Sequence, residues 1–185
     1  MKKLITIIFI SIIIVLSCTV VVNKHDYIYI RNRDKSIIFK INRDDTIDVY
    51  MGYIGFDLKN RELITQSAMA GVDLKNSDIS DYIHYKYSIK NDEKLIIDES
   101  CKYVKKNYIN EWDNLHFGDS AFHSDCTDVY FLFDGNTYIT NNGFENIFQS
   151  YDENLNELFI LLENISKYAE NDGDKVKDNG SVSLK

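Results

Sequence analysis

The feature that most constrains this chain is its first stretch, where Lys2 and Lys3 precede an uncharged, mostly apolar run from Leu4 to Val22. A positively charged start followed by an apolar core is the layout of an export signal. The core from Leu4 to Leu16 fits the roughly 7–15 residues of a signal peptide and is shorter than the ~20 residues of a membrane span. The rest of the chain is therefore expected to fold outside the cytoplasm.

The end of this run reads Val15-Leu16-Ser17-Cys18, with a small residue directly before a cysteine. This segment resembles the lipobox of bacterial lipoproteins, although that pattern more often has a small residue where Leu16 stands. The resemblance covers residues 1–18 only. It implies that Cys18 is acylated, with palmitate for example, and becomes the mature N-terminus attached to a membrane. Two or three acyl chains hold a protein at a membrane far better than one.

An uncleaved signal anchor is the alternative interpretation. The 19 residues from Leu4 to Val22 carry no charge, and ~17–25 such residues can cross a bilayer as a helix. Both interpretations place residues 24–185 outside the cytoplasm on a membrane tether, facing the periplasm or the cell surface. The expected organisation is a signal peptide over 1–17, a lipidated cysteine and short tether over 18–26, one domain over 27–169 and a disordered tail over 170–185.

The chain is acidic, with 21 basic and 29 acidic residues and a formal net charge of −8. Loss of Lys2 and Lys3 with a signal peptide would make this −10. An acidic protein is not attracted electrostatically to nucleic acid, which is itself negatively charged. It suits a basic protein partner or a cation, although an acidic surface also keeps proteins soluble. Proline is absent, so asparagine, aspartate and glycine are expected to form the turns.

The chain contains three cysteines, Cys18, Cys101 and Cys126. If Cys18 is acylated, the other two form an even pair in an oxidising compartment, which is the usual condition for a disulfide. A Cys101–Cys126 disulfide would stabilise the fold by about 3–4 kcal/mol in the chain-entropy model. A pair of unlinked thiols is the alternative.

Short apolar runs bounded by turn residues, some with alternating polar residues, predict several antiparallel strands. The predicted strands cover residues 27–30, 36–41, 46–56, 82–89, 129–133 and 136–140. The last two form a hairpin around Asp134-Gly135, a strong turn signal. In the strand over 82–89, odd-numbered residues share one face and even-numbered residues share the other. Residues 57–80 are left open between a short helix and a strand.

Two helices are predicted. The first runs from an N-cap at Asp98 to about Trp112, after a short strand over 94–97. The second follows an N-cap at Asp152, and its apolar side carries Leu155, Leu158, Phe159, Leu162 and Ile165. Together these elements predict a single α+β domain, in which an antiparallel sheet of six or seven strands has two main helices packed on one face.

The densest set of reactive side chains lies between His116 and Asp128. Its candidate ligands for a divalent cation are His116, Asp119, His123 and Asp125. Imidazole and carboxylate groups suit zinc and related metals, but the spacing matches no metal signature, and a polar loop is the favoured interpretation. Ser120 or Ser124 would formally complete a trio for acyl transfer, yet no Gly-x-Ser-x-Gly motif is present. No motif implies a cofactor.

Tyrosine is abundant, with 13 residues in the chain. Those in or beside the predicted strands are Tyr27, Tyr29, Tyr50, Tyr53, Tyr82, Tyr85 and Tyr87. Tyrosine rings bury a large area and are common in interfaces, so these side chains could line a ligand face such as a platform for a glycan. Strands also favour tyrosine for packing alone, and packing is the favoured interpretation.

These features lead to three hypotheses about function. The first is a membrane-tethered extracytoplasmic protein that binds an unidentified ligand or partner and has no enzymatic activity. The second is a periplasmic inhibitor, such as an immunity protein that caps a toxin, which the size, acidity and compartment fit. The third is a cation-dependent hydrolase that uses the segment from His116 to Asp128. The expected partners are the membrane and one protein, and nucleic acid is not expected.

Overall fold

A sheet of seven antiparallel strands forms the middle of the structure. The structure is a computed structural model, and it describes residues 25–31, 35–52, 54–58, 61–65, 81–109, 127–142, 147–149 and 152–177. Its strands are β1 (Asp26–Arg31), β2 (Ser36–Ile41), β3 (Thr46–Gly52), β6 (Asp81–Ser88), β7 (Thr127–Phe133), β8 (Asn136–Asn142) and β9 (Asp174–Lys177). Two further strands, β4 (Ile54–Asp57) and β5 (Glu62–Thr65), form a separate hairpin. The order across the large sheet is β8-β7-β1-β2-β3-β6-β9.

The strands β1, β2 and β3 form the antiparallel meander that the sequence predicts, because each is rich in β-branched and aromatic residues. β2 has the predicted bounds of Ser36–Ile41. In the turn before β3, Asp45 has a left-handed backbone conformation with φ of 56°, which aspartate tolerates better than most residues. The register places Ile28 opposite Phe39 and Phe39 opposite Val49. These three buried side chains therefore form one row across the sheet.

Two helices pack on one face of this sheet, namely α1 (Asn91–Asn107) and α2 (Asn156–Asp172). Alternation along the strands directs every second side chain toward the helices. The sheet side of this core includes Ile28, Ile30, Phe39, Val49, Phe131 and Phe133, and the helices add Val104, Leu158, Phe159, Leu162 and Ile165. The arrangement confirms the predicted α+β domain, with an antiparallel sheet and two helices on one face.

The helix α1 starts earlier than the sequence analysis predicted. It begins at Asn91, so residues 94–97 are helical rather than a strand, and Asp98 lies inside the helix. The side chain of Glu93 accepts a hydrogen bond from the backbone N–H of Lys90 (2.9 Å), which satisfies one of the free donors at the helix start. The prediction was wrong because a short apolar run fits a strand and a buried helix segment equally well.

The helix α2 agrees more closely with the prediction. The side chain of Asp152 accepts a hydrogen bond from the backbone N–H of Asn154 (3.0 Å) and thereby caps a short 3-10 turn over Glu153–Leu155 that leads into α2. All five apolar residues predicted for this helix are buried. By contrast, α1 ends at Asn107, and its predicted end at Trp112 lies outside the described residues.

The opposite face of the sheet is covered by the β4–β5 hairpin, a layer that the sequence analysis did not predict. Gly52 ends β3 with φ of 145°, a conformation that residues other than glycine rarely adopt. The predicted strand over 46–56 is therefore interrupted, and its second half becomes β4. Hairpin residues Ile54, Phe56, Leu58 and Leu63 pack with Tyr27, Tyr29, Tyr50, Tyr82 and Tyr130. We call this second core the tyrosine core.

The C-terminal part of the chain completes the sheet. This corrects the expected disordered tail for residues 170–177, while residues 178–185 lie outside the described residues. α2 continues to Asp172, and residues 174–177 form β9 beside β6, with Asp174 opposite His84. Four residues, three of them charged, are too few to show a strand period in a sequence. They form a strand because β6 provides a partner for them more than eighty residues earlier in the chain.

Among the described residues, no helix is long and apolar enough to span a membrane. Residues 1–24 lie outside the described residues, so the signal peptide and the acylation of Cys18 stay predictions. The first strand begins at Asp26, inside the stretch assigned to the tether over 18–26.

Candidate functional site

Three tyrosines meet at one edge of the helix-covered face. Tyr85 and Tyr87 lie two residues apart on the same face of β6, and both are half-buried against the helix-side core. Tyr168 comes from α2, is 53% exposed, and places its ring centroid 6.1 Å from that of Tyr87 with an angle of 32° between the rings. β9 pairs only with the Asp81–His84 half of β6, so no described strand borders this edge beside Tyr85 and Tyr87.

A carboxylate completes this group, which we call the aromatic cluster (Tyr85, Tyr87, Tyr168 and Glu93). The hydroxyl of Tyr87 donates a hydrogen bond to Glu93 Oε1 (2.8 Å), and the backbone N–H of Lys90 donates one to Glu93 Oε2 (2.9 Å). Burial and the Glu93 carboxylate raise the pKa of Tyr87 to about 12. Tyr87 therefore stays protonated at neutral pH and holds Glu93 in place as a hydrogen-bond donor.

The surroundings of Tyr168 are polar and include charged groups. Asn164 and Asn171 are exposed on α2, and their spacing from Tyr168 places them about one helical turn to either side. Lys167 forms an ion pair with Glu163 (3.0 Å). The arrangement combines aromatic rings, amide groups and a carboxylate held in place. Ligand-binding sites commonly contain this combination of aromatic and polar groups.

A second polar group lies on the opposite face of the sheet. His84 Nε2 donates a hydrogen bond to Asp48 Oδ1 (3.1 Å), and the Asn42 amide donates one to Asp48 Oδ2 (2.8 Å). The imidazole stacks on Tyr50 with 4.6 Å between ring centroids. In a catalytic triad, a carboxylate orients a histidine, and the histidine activates a nucleophile such as serine. His84 and Asp48 could supply the first two of these groups. Within the described ranges, however, no serine, threonine or cysteine hydrogen bonds to His84, and the pair acts as a link between β3 and β6.

This link predicts a specific dependence of stability on pH. The hydrogen bond from His84 is the main cause that holds the pKa of Asp48 below its usual value, against the opposing effect of burial. A carboxyl with a lowered folded-state pKa stabilises the fold at neutral pH and loses that effect as the pH falls through its unfolded and then its folded pKa. We expect Asp48→Asn to lower the free energy of unfolding at pH 7 by about 1 kcal/mol.

The measurement is urea unfolding of both proteins as the pH is lowered. The difference between wild type and Asp48→Asn should shrink below about pH 5, because only the wild type loses the carboxylate contribution. Asp98→Asn is the matched control, because Asp98 is an exposed carboxylate on α1. A difference that stays constant over this pH range would contradict the assignment.

A buried ion pair joins β1 to β7. Arg31 Nη2 donates hydrogen bonds to Asp128 Oδ2 (2.9 Å) and to the Tyr130 hydroxyl (3.0 Å). The hydroxyls of Tyr29 and Ser36 are buried on the same face. Neither forms a hydrogen bond of normal geometry with a described residue. Burial raises the pKa of Tyr29, while Arg31 and Ser36 lie close enough to lower it in part. Asp128, the last residue of the proposed hydrolase segment, is thus engaged in a structural contact.

The predicted metal ligands His116, Asp119, His123 and Asp125 lie outside the described residues. The metal site therefore stays a prediction. Within the described ranges, no group of three or more histidine, cysteine, aspartate or glutamate side chains could hold a metal ion.

The disulfide prediction also stays open, because Cys126 lies outside the described residues. Cys101 carries a free thiol, and burial raises its pKa although Lys105 hydrogen bonds to it. Lys105 in turn forms an ion pair with Asp134, directly after the last residue of β7. Thr127, the chain neighbour of Cys126, starts β7 at the opposite end. A disulfide requires the two Cα atoms to lie within about 7 Å.

Some of the candidate tyrosines serve only packing, whereas others remain candidates for a ligand face. Tyr27, Tyr29, Tyr50 and Tyr82 are buried in the tyrosine core, so packing explains them and no ligand reaches them there. Tyr85 and Tyr87 are half-exposed on the other face, and Tyr53 lies outside the described residues. Sequence analysis missed Tyr168. The available signal was that this large aromatic residue stands off the apolar stripe of α2.

The structure is an α+β domain with a half-exposed group of tyrosines at one edge of its sheet. No protein-family model, curated protein or solved structure matches the chain.

Proposed function

We propose that this chain is a membrane-tethered, extracytoplasmic binding protein without enzymatic activity, and that the aromatic cluster is its binding surface. The observation that carries the proposal is the partial exposure of Tyr168 beside Tyr87. Large aromatic residues contribute strongly to binding when a partner covers them. These rings stand on a helix and a strand that pack on the same core, and rigid elements hold a site more accurately than loops.

The chemistry of the cluster supports binding rather than catalysis. Glu93 accepts two hydrogen bonds, from the Tyr87 hydroxyl and the Lys90 backbone N–H, so each of its two oxygens is already held by a donor. Tyr87 has a pKa of about 12 and is a poor general acid at neutral pH, since effective acid–base groups titrate near the working pH. Both groups are better suited to position a ligand than to exchange protons with it.

The tether is supported by the N-terminal residues alone, from Lys2 to Cys18. We expect the purified native protein to begin at Cys18 and to carry the mass of its acyl chains. Cys18→Ser should prevent this maturation and leave the longer precursor. Intact-protein mass spectrometry measures both outcomes and also shows whether two hydrogens are missing for a Cys101–Cys126 bond. An unprocessed chain of full length would favour the uncleaved signal anchor.

The binding surface can be tested in the producing cell with a photoreactive residue. We expect p-benzoylphenylalanine at position 168, in place of Tyr168, to give a covalent adduct of the full chain after irradiation. The matched control is the same residue in place of Leu95, which is 56% exposed on α1. An adduct from position 168 that is absent from position 95 supports the proposed surface. Equal adducts, or none from either position, would contradict it.

A second candidate function, inhibition of a basic protein, is favoured by the charge of the second helical region. Residues 152–172 carry six carboxylate side chains but only one cation, Lys167. Ile160 is 58% exposed among them, so this face combines negative charge with an apolar contact, as many protein interfaces do. A toxin-like reading frame beside this gene, with its product cross-linked from position 160, would favour the inhibitor.

A further inference from the structure

We infer that the aromatic cluster binds a neutral carbohydrate, whose ring lies across Tyr87 and Tyr168 while its hydroxyls meet the polar groups around them. This inference rests on the proposed binding function and names its ligand class. It is argued from the shape of the ring pair, the balance of nearby charges and the polar groups at the rim.

The ring pair is a platform and not a cage. The centroids of Tyr87 and Tyr168 are 6.1 Å apart, and their planes differ by 32°. A group held between two ring faces needs about 7–8 Å, which is twice the contact distance between carbon atoms. The two rings are therefore too close together to hold a group between them. This differs from an aromatic cage, in which a methylammonium group sits between ring faces. A ligand must therefore lie on the outer faces of the rings.

Two lysines near the platform are paired with carboxylates of the protein, while Asp172, one helical turn after Tyr168, is exposed on α2. Lys90 Nζ lies 3.6 Å from Glu93 Oε1, and Lys167 Nζ lies 3.0 Å from Glu163 Oε1. On the following turn of α2, Glu170 pairs with Lys35. A charged ligand would have to compete with these internal partners. A neutral ligand meets no such cost, so the electrostatics favour an uncharged polar molecule.

A sugar ring has the complementary shape and chemistry. One face of a pyranose presents C–H groups that pack on an aromatic ring, and its rim presents hydroxyls that donate and accept hydrogen bonds. At this site the exposed amides of Asn164 and Asn171 stand about one turn from Tyr168 on α2. An amide offers both a donor and an acceptor. The surface therefore combines a flat apolar area with polar groups on either side of it.

The test uses the full chain in a polyoxyethylene detergent, because detergents with sugar headgroups would compete. The probe is an array of neutral, sialylated and sulfated glycans, followed by titration calorimetry with the strongest neutral glycan. We expect binding to neutral glycans, with affinity about 3- to 10-fold weaker in Tyr168→Ala. Tyr168→Phe keeps the ring and should retain most of the affinity. Leu95→Ala is the control, and its affinity should equal that of the wild type.

The outcomes separate this inference from the proposed function. Failure of every neutral glycan to bind, a preference for charged glycans, or binding that Tyr168→Ala and Tyr87→Ala leave unchanged would overturn the carbohydrate assignment. Circular dichroism of each variant shows that a loss of binding is not a loss of folding. If no glycan binds but position 168 still cross-links to a protein, the binding function stands and only the ligand class is wrong. If neither occurs, both fall.

Discussion

Phe56→Ala should destabilise the protein by about 3–5 kcal/mol, the usual cost of removing a buried phenylalanine ring. Phe56 is 2% exposed, and its ring lies 5.0 Å from that of Tyr27 and 5.7 Å from that of Tyr29. These contacts attach the β4–β5 hairpin to the tyrosine core. Their loss leaves a cavity between the two layers and exposes tyrosines that have no other described cover. Urea unfolding followed by circular dichroism measures the change.

The control for this experiment is Ile160→Ala, which removes an exposed apolar side chain and should change stability by no more than about 0.5 kcal/mol. A Phe56→Ala protein as stable as this control would mean that the hairpin does not pack on the sheet in solution. Hydrogen exchange adds a local readout. The amides of β4 and β5 should exchange faster in Phe56→Ala than those of β1, because the hairpin loses its anchor while the sheet keeps its helical cover.

Gly173→Ala should cost about 2–3 kcal/mol, toward the upper end of the range for overpacking. A Cβ atom at this position would lie 2.3 Å from Ile83 Cγ2 and 2.4 Å from the carbonyl oxygen of Ala169. Both distances are far inside van der Waals contact, and the second clash is with backbone that cannot move without distorting α2. Gly173 has φ of −71°, so the cost comes from space and not from backbone conformation.

The location of Gly173 makes the effect specific. It joins α2 to β9, and Asp174 directly after it pairs with His84. We expect the added methyl group to push β9 away from β6, so that β9 amides lose protection in hydrogen exchange before the rest of the sheet does. Asn171→Ala, an exposed change two residues earlier, is the matched control and should stay within about 0.5 kcal/mol of the wild type. Equal stability of the two variants would contradict this packing.

The strands were predictable where a run of β-branched and aromatic residues ends at clear turn residues. β2 matched its predicted bounds, whereas β7 starts two residues earlier and β8 ends two residues later than predicted. The strand over 46–56 was too long because apolar residues continue through the bend at Gly52, and a positive φ leaves no trace in hydrophobic pattern. The start of α1 was missed because Leu95-Ile96-Ile97 fits either period. Its packing against the sheet decides between them, and that is tertiary information.

The candidate site was predictable only in part. Period-two alternation correctly placed Tyr85 and Tyr87 on one face and Tyr82 on the other. The approach of Tyr168 to Tyr87 depends on how α2 lies over β6, which no local pattern contains. The cover that removes Tyr27 and Tyr29 from solvent comes from β4 and β5, in a stretch without a clear period. Packing between distant segments therefore decided which tyrosines could meet a ligand.

The position of β1 has a consequence for how the chain matures. Its neighbour β2 follows it directly, but its other neighbour is β7, and the Arg31–Asp128 hydrogen bond closes a separation of 97 residues. The sheet cannot acquire its full width until most of the chain has been synthesised, and its last strand, β9, comes from residues 174–177. Topologies dominated by such distant pairings fold slowly. A newly made chain would thus stay unfolded longer than a chain whose strands pair with close neighbours, and that delay fits the export that we propose.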